Sequence, residues 1–216
     1  MILILLGPPG AGKGTQAKLL ARDLQIPHIS TGDMFRDHKA RGTELGKTVD
    51  AIMASGGLVP DDVTNSMVKD RLARPDVAGG FILDGYPRTA AQAGYLDQLL
   101  VASGRKIDRA LSYEIDQELL VDRMSGRRSC PSCGAVYHVT ANPPRQAGLC
   151  DREGAALVQR DDDKAETVAR RLREYEAKTE PLKRYYQGKG SLSEVSGTGA
   201  PDDVLAAAMR VLGRAT

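Results

Sequence analysis

The chain has 216 residues, enough for one substantial core with one or two small insertions but hardly for two full domains. Lys and Arg number 30 against 28 Asp and Glu, with aromatics at 4%, so no global basic field marks a nucleic-acid or membrane surface and functional positive charge must be local. No apolar stretch approaches the ~20 residues that span a bilayer, the first run lacks the basic lead of a signal peptide, and three cysteines between 130 and 150 form no disulfide framework. The chain therefore reads as cytosolic, with a metal site or free thiols.

In chain order, Ile2 to Leu6 is an apolar, β-rich run, and Gly7-Pro-Pro-Gly-Ala-Gly-Lys-Gly-Thr15 follows it ahead of a helical pattern. Strand, glycine loop and helix in this order make a phosphate site. Glycines at 7, 10, 12 and 14 let successive backbone N–H groups wrap a polyphosphate along Gly10, Ala11, Gly12, Gly14 and Thr15, the helix adds its positive end, and Lys13 supplies a point charge for the β and γ phosphates. The position after the lysine is Gly14, with the hydroxyl displaced to Thr15, so the usual direct hydroxyl ligand for Mg²⁺ is lacking. A carboxylate elsewhere must help hold that ion.

Residues 30 to 59 are polar and helical, with Ser30-Thr31-Gly32-Asp33 able to cap a helix and Gly56-Gly57 marking a turn. Further β-rich runs lie at Phe81 to Asp84, Ala110 to Ile115 and Leu192 to Val195, alternating with helical stretches. Such alternation predicts a parallel sheet with helices on both faces, whose strand ends would gather Gly7, Asp84 and Asp116 at one rim. Residues 126 to 163 have no helical period and hold all three cysteines, Pro143-Pro144 and several glycines, which predicts a small β-hairpin or ribbon insertion. Beyond it, Val168, Leu172, Tyr175, Thr179, Leu182 and Tyr186 step by four and three along one face of a long helix, and residues 204 to 212 form a last amphipathic helix.

Six segments in order, Gly7 to Thr15, Ser30 to Arg36, Gly57 to Asp61, Gly80 to Thr89, Asp122 to Arg128 and Arg160 to Asp163, resemble adenylate kinase in its long bacterial form with an extended lid. The resemblance spans essentially the whole chain. It implies an α/β fold, a P-loop three-layer αβα arrangement around a parallel five-stranded sheet. The core would comprise residues 1–29, 60–125 and 164–216, with an AMP-binding insertion at 30–59 and a lid at 126–163. It further implies reversible, Mg²⁺-dependent transfer of the γ-phosphoryl group of ATP to AMP, giving two ADP, by a cytoplasmic monomer.

Phosphoryl transfer leaves charge on oxygens, so a protein serves it by positioning and electrostatic stabilisation. Lys13, Arg36, Arg88, Arg123, Arg127, Arg160 and Arg171 stand at family-matching positions for that work, and forked guanidinium groups suit phosphate oxygens. By the same resemblance, Thr31, Arg36, Gly57, Leu58, Val59, Gly85, Tyr86, Pro87, Arg88 and Gln92 would hold AMP together with Arg160 and Arg171, Gln92 offering its amide to the adenine edge. Arg123, Arg127, Val136, Tyr137 and the backbone of Gly199 would receive ATP beside the phosphate loop. Asp84, ending a strand at the rim, is the candidate to hold Mg²⁺ through water, with Asp33 in support. Asp162 and Asp163 would organise the transferring phosphates, although Asp163 also reads as a helix N-cap before Lys164. A cis peptide is implied at Tyr86–Pro87.

Cys130-x₂-Cys133 and Cys150-x₂-Glu153 have the spacing of a structural zinc knuckle, with Glu153 where the family usually carries Cys or Asp. Asp151, His138 or water are the alternatives for the fourth position. The competing readings are a UMP, CMP or GMP kinase, a nucleotide switch without transfer activity, and a zinc-dependent nucleic-acid module. The near-neutral, aromatic-poor composition speaks against the last of these.

Overall fold

The computed structural model describes residues 1–214. In chain order its first half runs β1 (Ile2–Leu6), α1 (Lys13–Leu24), β2 (His28–Ser30), α2 (Thr31–Ala40), α3 (Glu44–Ala54), α4 (Asp61–Leu72), β3 (Phe81–Asp84) and α5 (Ala90–Val101). The second half runs β4 (Arg109–Glu114), α6 (Gln117–Ser125), β5 (Arg127–Ser129), β6 (Val136–His138), α7 (Ala165–Glu174), α8 (Leu182–Gly188), β7 (Leu192–Ser196) and α9 (Pro201–Val211).

Five parallel strands form one sheet in the order β2-β3-β1-β4-β7. All five residues of β1 are buried, as a central strand covered on both faces requires. Alternation along the strands splits the core into two layers. Ile2, Ile4, Leu6, Phe81 and Leu83 pack with Val68, Leu96, Leu182 and Tyr186 on one side. Leu3, Leu5, Ile82, Leu111 and Tyr113 pack with Ala17, Leu20, Val204 and Ala208 on the other. Each fully buried Leu or Ile contributes about 1.5–3 kcal/mol, so the strand ends rest on a rigid foundation. Four of the five strands are evident from the hydrophobic pattern. The fifth, His28–Ser30, is only three residues long, too short to leave a period.

Between β2 and α4 lie the helices α2, capped at Ser30 as its sequence predicts, and α3, capped at Thr43. Ser30 Oγ accepts from Asp33 N at 3.2 Å, and Thr43 Oγ1 accepts from Gly46 N at 3.0 Å. They enclose a small apolar cluster of Phe35, Val49, Val59 and Met67. The expected ribbon within residues 126–163 is present as an antiparallel pair, with Arg127 opposite His138 and Ser129 opposite Val136. It lies close to α1, where Lys18 Nζ donates to Gly134 O at 2.9 Å.

Two expectations are corrected. The stripe from Val168 to Tyr186 is not one continuous helix: α7 ends at Glu174, residues 175–179 form a π turn closed by Glu180 N donating to Tyr175 O at 2.9 Å, and α8 begins after Pro181. The π turn inserts one residue and Pro181 brings no N–H, yet Val168, Thr179, Leu182 and Tyr186 all remain buried. Nor does Asp163 cap α7. Lys164 is the N-cap, without a side-chain bond, and Asp163 lies fully buried in the preceding 3₁₀ turn, its carboxylate taken by arginines.

Candidate functional site

The carboxyl ends of β1 and β3 lie side by side, with Leu5 in register with Asp84 and Ser30 on the far side of Asp84. The glycine loop closes over this edge and Lys13 opens α1. Lys13 Nζ donates to Gly7 O at 2.7 Å and Pro8 O at 2.9 Å, which holds the ammonium inside the loop. Burial, aided by Arg88, Arg171 and Arg127 and opposed by Asp84, lowers its pKa to about 8. At Gly14, a Cβ would stand 3.3 Å from Asp84 Oδ2, so the missing side chain leaves the carboxylate open toward the loop. Thr15, where the displaced hydroxyl sits, is exposed.

Asp84 also receives His28 Nε2 at 3.3 Å. Burial works against its ionisation, but the His28 bond and the Lys13 ammonium outweigh burial and hold the carboxyl below the usual aspartate range. His28 escapes the sequence reading because it lies on the short strand β2. Asp116, expected at the same rim, is exposed and gives α6 no side-chain cap.

Immediately after Asp84, Gly85 turns the chain at φ +78, where a Cβ would come within 3.1 Å of Thr31 Oγ1 and 3.0 Å of Arg88 Nη2. Only glycine fits that conformation and that crowding together. Thr31 Oγ1 and Arg88 Nε both donate to Gly85 O, each at 2.8 Å. The Tyr86–Pro87 peptide is cis, as expected. A pocket opens here, lined by Thr31, Gly32, Phe35, Met53, Gly57, Leu58, Val59, Thr64, Gly85, Arg88 and Gln92. Seven residues assigned to the AMP side from the sequence, Thr31, Gly57, Leu58, Val59, Gly85, Arg88 and Gln92, thus line one cavity. Tyr86 does not join them: its ring is buried in the core and its hydroxyl donates to Asn65 Oδ1 at 2.6 Å. Gln92 accepts from Arg88 N at 2.8 Å and donates to Asp61 Oδ1 at 2.7 Å, while Thr89 Oγ1 donates to Asp61 Oδ2 at 2.8 Å. Asp61 is a site residue the sequence reading passed over, since an acidic residue in a helix's first turn looks like a dipole partner and nothing more.

Above the cleft, Asp163 binds Arg127 through both carboxylate oxygens and also accepts from Arg171 Nη1 at 3.0 Å. Arg171 Nη1 further contacts Asp162 Oδ2 at 3.0 Å. Arg160 Nε donates to Ser129 Oγ at 3.0 Å, and Arg36 pairs with Asp33 at 2.5 Å. Burial first, and then like charge, pushes Arg88 and Arg160 down to about 10: Arg171 is the main neighbour acting on Arg88, and Arg36 and Arg127 act on Arg160. Arg171 is lowered for the same reasons. Burial would raise the Asp162 carboxyl, but Arg171 and Arg127 hold it low. So many cations in one partly buried space amount to a site preorganised for a polyanion.

On the side of the loop after β7, Arg123 Nη1 donates to Gly197 O at 3.1 Å, near Gly199. Val136 is 37% exposed, but Tyr137 faces the other way, buried beside Cys130 and Cys150 with its hydroxyl accepting from Asp151 N at 2.9 Å. Its side chain is therefore unavailable to a base, and only its backbone remains to border one.

The sulfurs of Cys130, Cys133 and Cys150 lie within 4.8 Å of one another, with Cys133 Sγ and Cys150 Sγ at 3.6 Å. Two matching turns present them. Cys130 N donates to Ala135 O and Gly134 N to Cys130 O; Cys150 N donates to Ala155 O and Gly154 N to Cys150 O, and both glycines have φ 65. In this repeat Glu153 occupies the place that Cys133 holds in the first turn, yet its exposed carboxylate is not part of the group of three. Burial opposes ionisation of Cys150, but N–H groups of Arg152 and Glu153 bring its thiol down to about 7. Three sulfurs, one of them held toward the thiolate by backbone donors, suit a thiophilic ion such as Zn²⁺. His138 is committed elsewhere, its Nε2 to Asp122 O at 3.1 Å and its Nδ1 accepting from Ala141 N at 3.0 Å, and Asp151 Oδ1 accepts from Arg145 N at 2.8 Å.

The family model described as adenylate kinase matches residues 5–191. An adenylate kinase of Anaeromyxobacter sp. (strain K) is 72% identical over 214 residues, covering 99% of this chain and all of that protein. One from Symbiobacterium thermophilum is 54% identical, with 95% of each covered, and one from Lachnospira eligens is 50% identical, covering 99% of this chain and all of that protein. With a phosphate loop, a neighbouring pocket and an arginine cluster close together, this similarity is decisive: the chain belongs to the adenylate kinase family.

Proposed function

We propose that this cleft transfers the γ-phosphoryl group of ATP to AMP, giving two ADP, through the residues described above. The observation that carries the reading is that the segment from Asp84 to Arg88 belongs to both halves. Asp84 faces the phosphate loop at Gly14, and Gly85 and Arg88 line the neighbouring pocket. Two nucleotides seated there would meet phosphate to phosphate, with Arg88 beside the acceptor and Lys13 beside the donor.

Gly10 to Thr15 would wrap the ATP phosphates and Lys13 would exchange its loop carbonyls for phosphate oxygens. Arg123 would stack on the adenine, near Val136 and the Gly199 carbonyl. AMP would occupy the pocket, its phosphate on Arg88 and on Arg36 released from Asp33. Arg127, Arg160 and Arg171 would gather on the charge that builds up during transfer, and Asp162 and Asp163 hold two of those arginines in place. Mg²⁺ accompanying ATP neutralises phosphate charge, and the ionised, buried Asp84 suits it as an outer ligand through water. The assay that tests the reading is ADP production with AMP, GMP, CMP and UMP in turn; higher turnover with UMP or CMP than with AMP would sink the substrate assignment.

The same reading divides the chain into a core (1–29, 60–125, 164–216), an AMP-side insertion (30–59) and a lid (126–163), working as a cytoplasmic monomer. No helix among the described residues is long and apolar enough to cross a membrane. In the lid, Cys130, Cys133 and Cys150 would hold structural Zn²⁺, with Glu153 completing the set after a rotation of its side chain. The ion would stiffen a unit too small for a core of its own. Less than half an equivalent of zinc in protein from zinc-supplied cells would defeat this assignment.

A further inference from the structure

The Gln92 side chain is 2% exposed and lines the acceptor pocket, and both ends of its amide are already engaged. Oε1 accepts from Arg88 N at 2.8 Å, and that group can only donate. Nε2 donates to Asp61 Oδ1 at 2.7 Å, and an ionised carboxylate can only accept. Turning the amide over would set N–H against N–H at Arg88 and oxygen against oxygen at Asp61. Which end is which is therefore determined by chemistry. Asp61 is itself fixed, because its second oxygen accepts from Thr89 Oγ1 at 2.8 Å, and the same hydroxyl accepts from Gln92 N at 3.1 Å as the cap of α5.

We infer that Asp61 is a positioning residue for base selection, pinning the Gln92 amide so that it reads a 6-aminopurine and rejects a 6-oxopurine. This rests on the reading above that Gln92 meets the base of the acceptor nucleotide. With one bond used at each end, the amide keeps one N–H and one oxygen lone pair. That pair complements the adenine edge, where the N6 amino group donates and N1 accepts. Hypoxanthine and guanine show the reverse, an O6 acceptor beside an N1–H donor, and only a flipped amide would suit them. The pin makes the flip unfavourable before any nucleotide arrives, so discrimination comes from an unpaired polar group left by the wrong base. Asp61 is not needed as a charge for the first turn of α4, because Asp62 stands beside it in that turn.

The test compares kcat/KM for AMP with that for IMP in four proteins: wild type, Asp61→Ala, Asp61→Asn and Gln92→Ala. Asp61→Ala should lower the AMP-over-IMP ratio about tenfold or more, the loss expected when one end of a buried polar pair is freed, and leave the KM for ATP within twofold. Asp61→Asn can still accept from Gln92 through Oδ1 while Thr89 Oγ1 accepts from its amide, so it should keep the ratio within about threefold of wild type. A merely structural role for Asp61 would lower both substrates together and leave the ratio in place. If Gln92→Ala collapses the ratio and Asp61→Ala leaves it within twofold, the inference is overturned and the base reading by Gln92 stands. A ratio that also survives Gln92→Ala overturns the base reading and the inference with it. Should Asp61→Ala not fold, Asp61→Ser, too short to reach Gln92, replaces it with the same expectations.

Discussion

Lys13, Asp84 and Arg88 sit at the ends of elements rooted in two apolar layers, whereas the Cys130–Cys150 cluster has only Ala135, Tyr137 and a few half-buried neighbours around it. The strand ends are located by dense, non-directional packing, which fixes positions to fractions of an ångström without any one contact being decisive. The small sheet depends on directional links: four backbone bonds in two matching turns, the three sulfurs, and the grip of Asp163 on Arg127. Each kind of damage should therefore register in a different place. A change at the floor alters chemistry and spares the fold, and a change in the small sheet alters order and spares the floor.

The sharpest way to break this contrast is at Lys13. Replacing it with Met should cut kcat/KM for phosphoryl transfer by about 10²–10³-fold, the range seen when one preorganised charge donor is lost, with an unchanged circular dichroism spectrum. A comparable loss of activity from a substitution in the small sheet with the fold intact would show that the floor is not the privileged region.

A second break lies at the joint between the two regions. Asp163→Asn keeps the shape of a fully buried side chain but leaves Arg127 facing a neutral group, while Arg171 keeps Asp162. Breaking a buried pair typically costs about 3–5 kcal/mol, so urea unfolding should lose about that much. A loss under 1 kcal/mol would mean the arginines find other partners at no cost.

A smaller, local effect is expected at the thiols. Cys150→Ser should bring zinc below half an equivalent and speed proteolysis within residues 126–163 about tenfold, equivalent to about 1.4 kcal/mol of local opening. Fragments comprising the five-stranded sheet should resist as before. Equal acceleration throughout the chain would refute the division.

A further handle on the floor is its pH dependence. Lys13 is lowered from 10.5 to about 8 in the folded protein, so above pH 8 the unfolded chain binds the extra proton. Stability should then rise from about pH 8 to 10.5 through this group, reversing the penalty that the buried charge imposes at lower pH. The Lys13→Met protein should lack that rise in denaturant titrations across the window.

Much of the candidate site is legible in the sequence because its residues lie in contiguous segments. A glycine loop after an apolar run, or Asp84 to Arg88 at a strand end, keeps sequence neighbours as spatial neighbours. What stayed hidden involves pairs distant in sequence: His28 with Asp84, Asp61 with Gln92, and Asp163 with Arg127. Asp163 misled because an aspartate ahead of a helical stretch matches a cap pattern, and only its burial among arginines overrides that local preference. Tyr137 behaves similarly, since the neighbour of an exposed residue such as Val136 on a strand points to the opposite face.

Periodicity and turn chemistry within a few residues set the alternation of strands and helices, the phosphate loop, the cap of the helix after β2 and the spacing of the cysteines. Only the tertiary structure decided the place of the three-residue strand β2, the π turn in the helix stripe, which carboxylates hold which arginines, and the pinning of Gln92. These depend on burial and on partners dozens of residues away. No local signal encodes which of several polar groups will lose its water and so need that one partner.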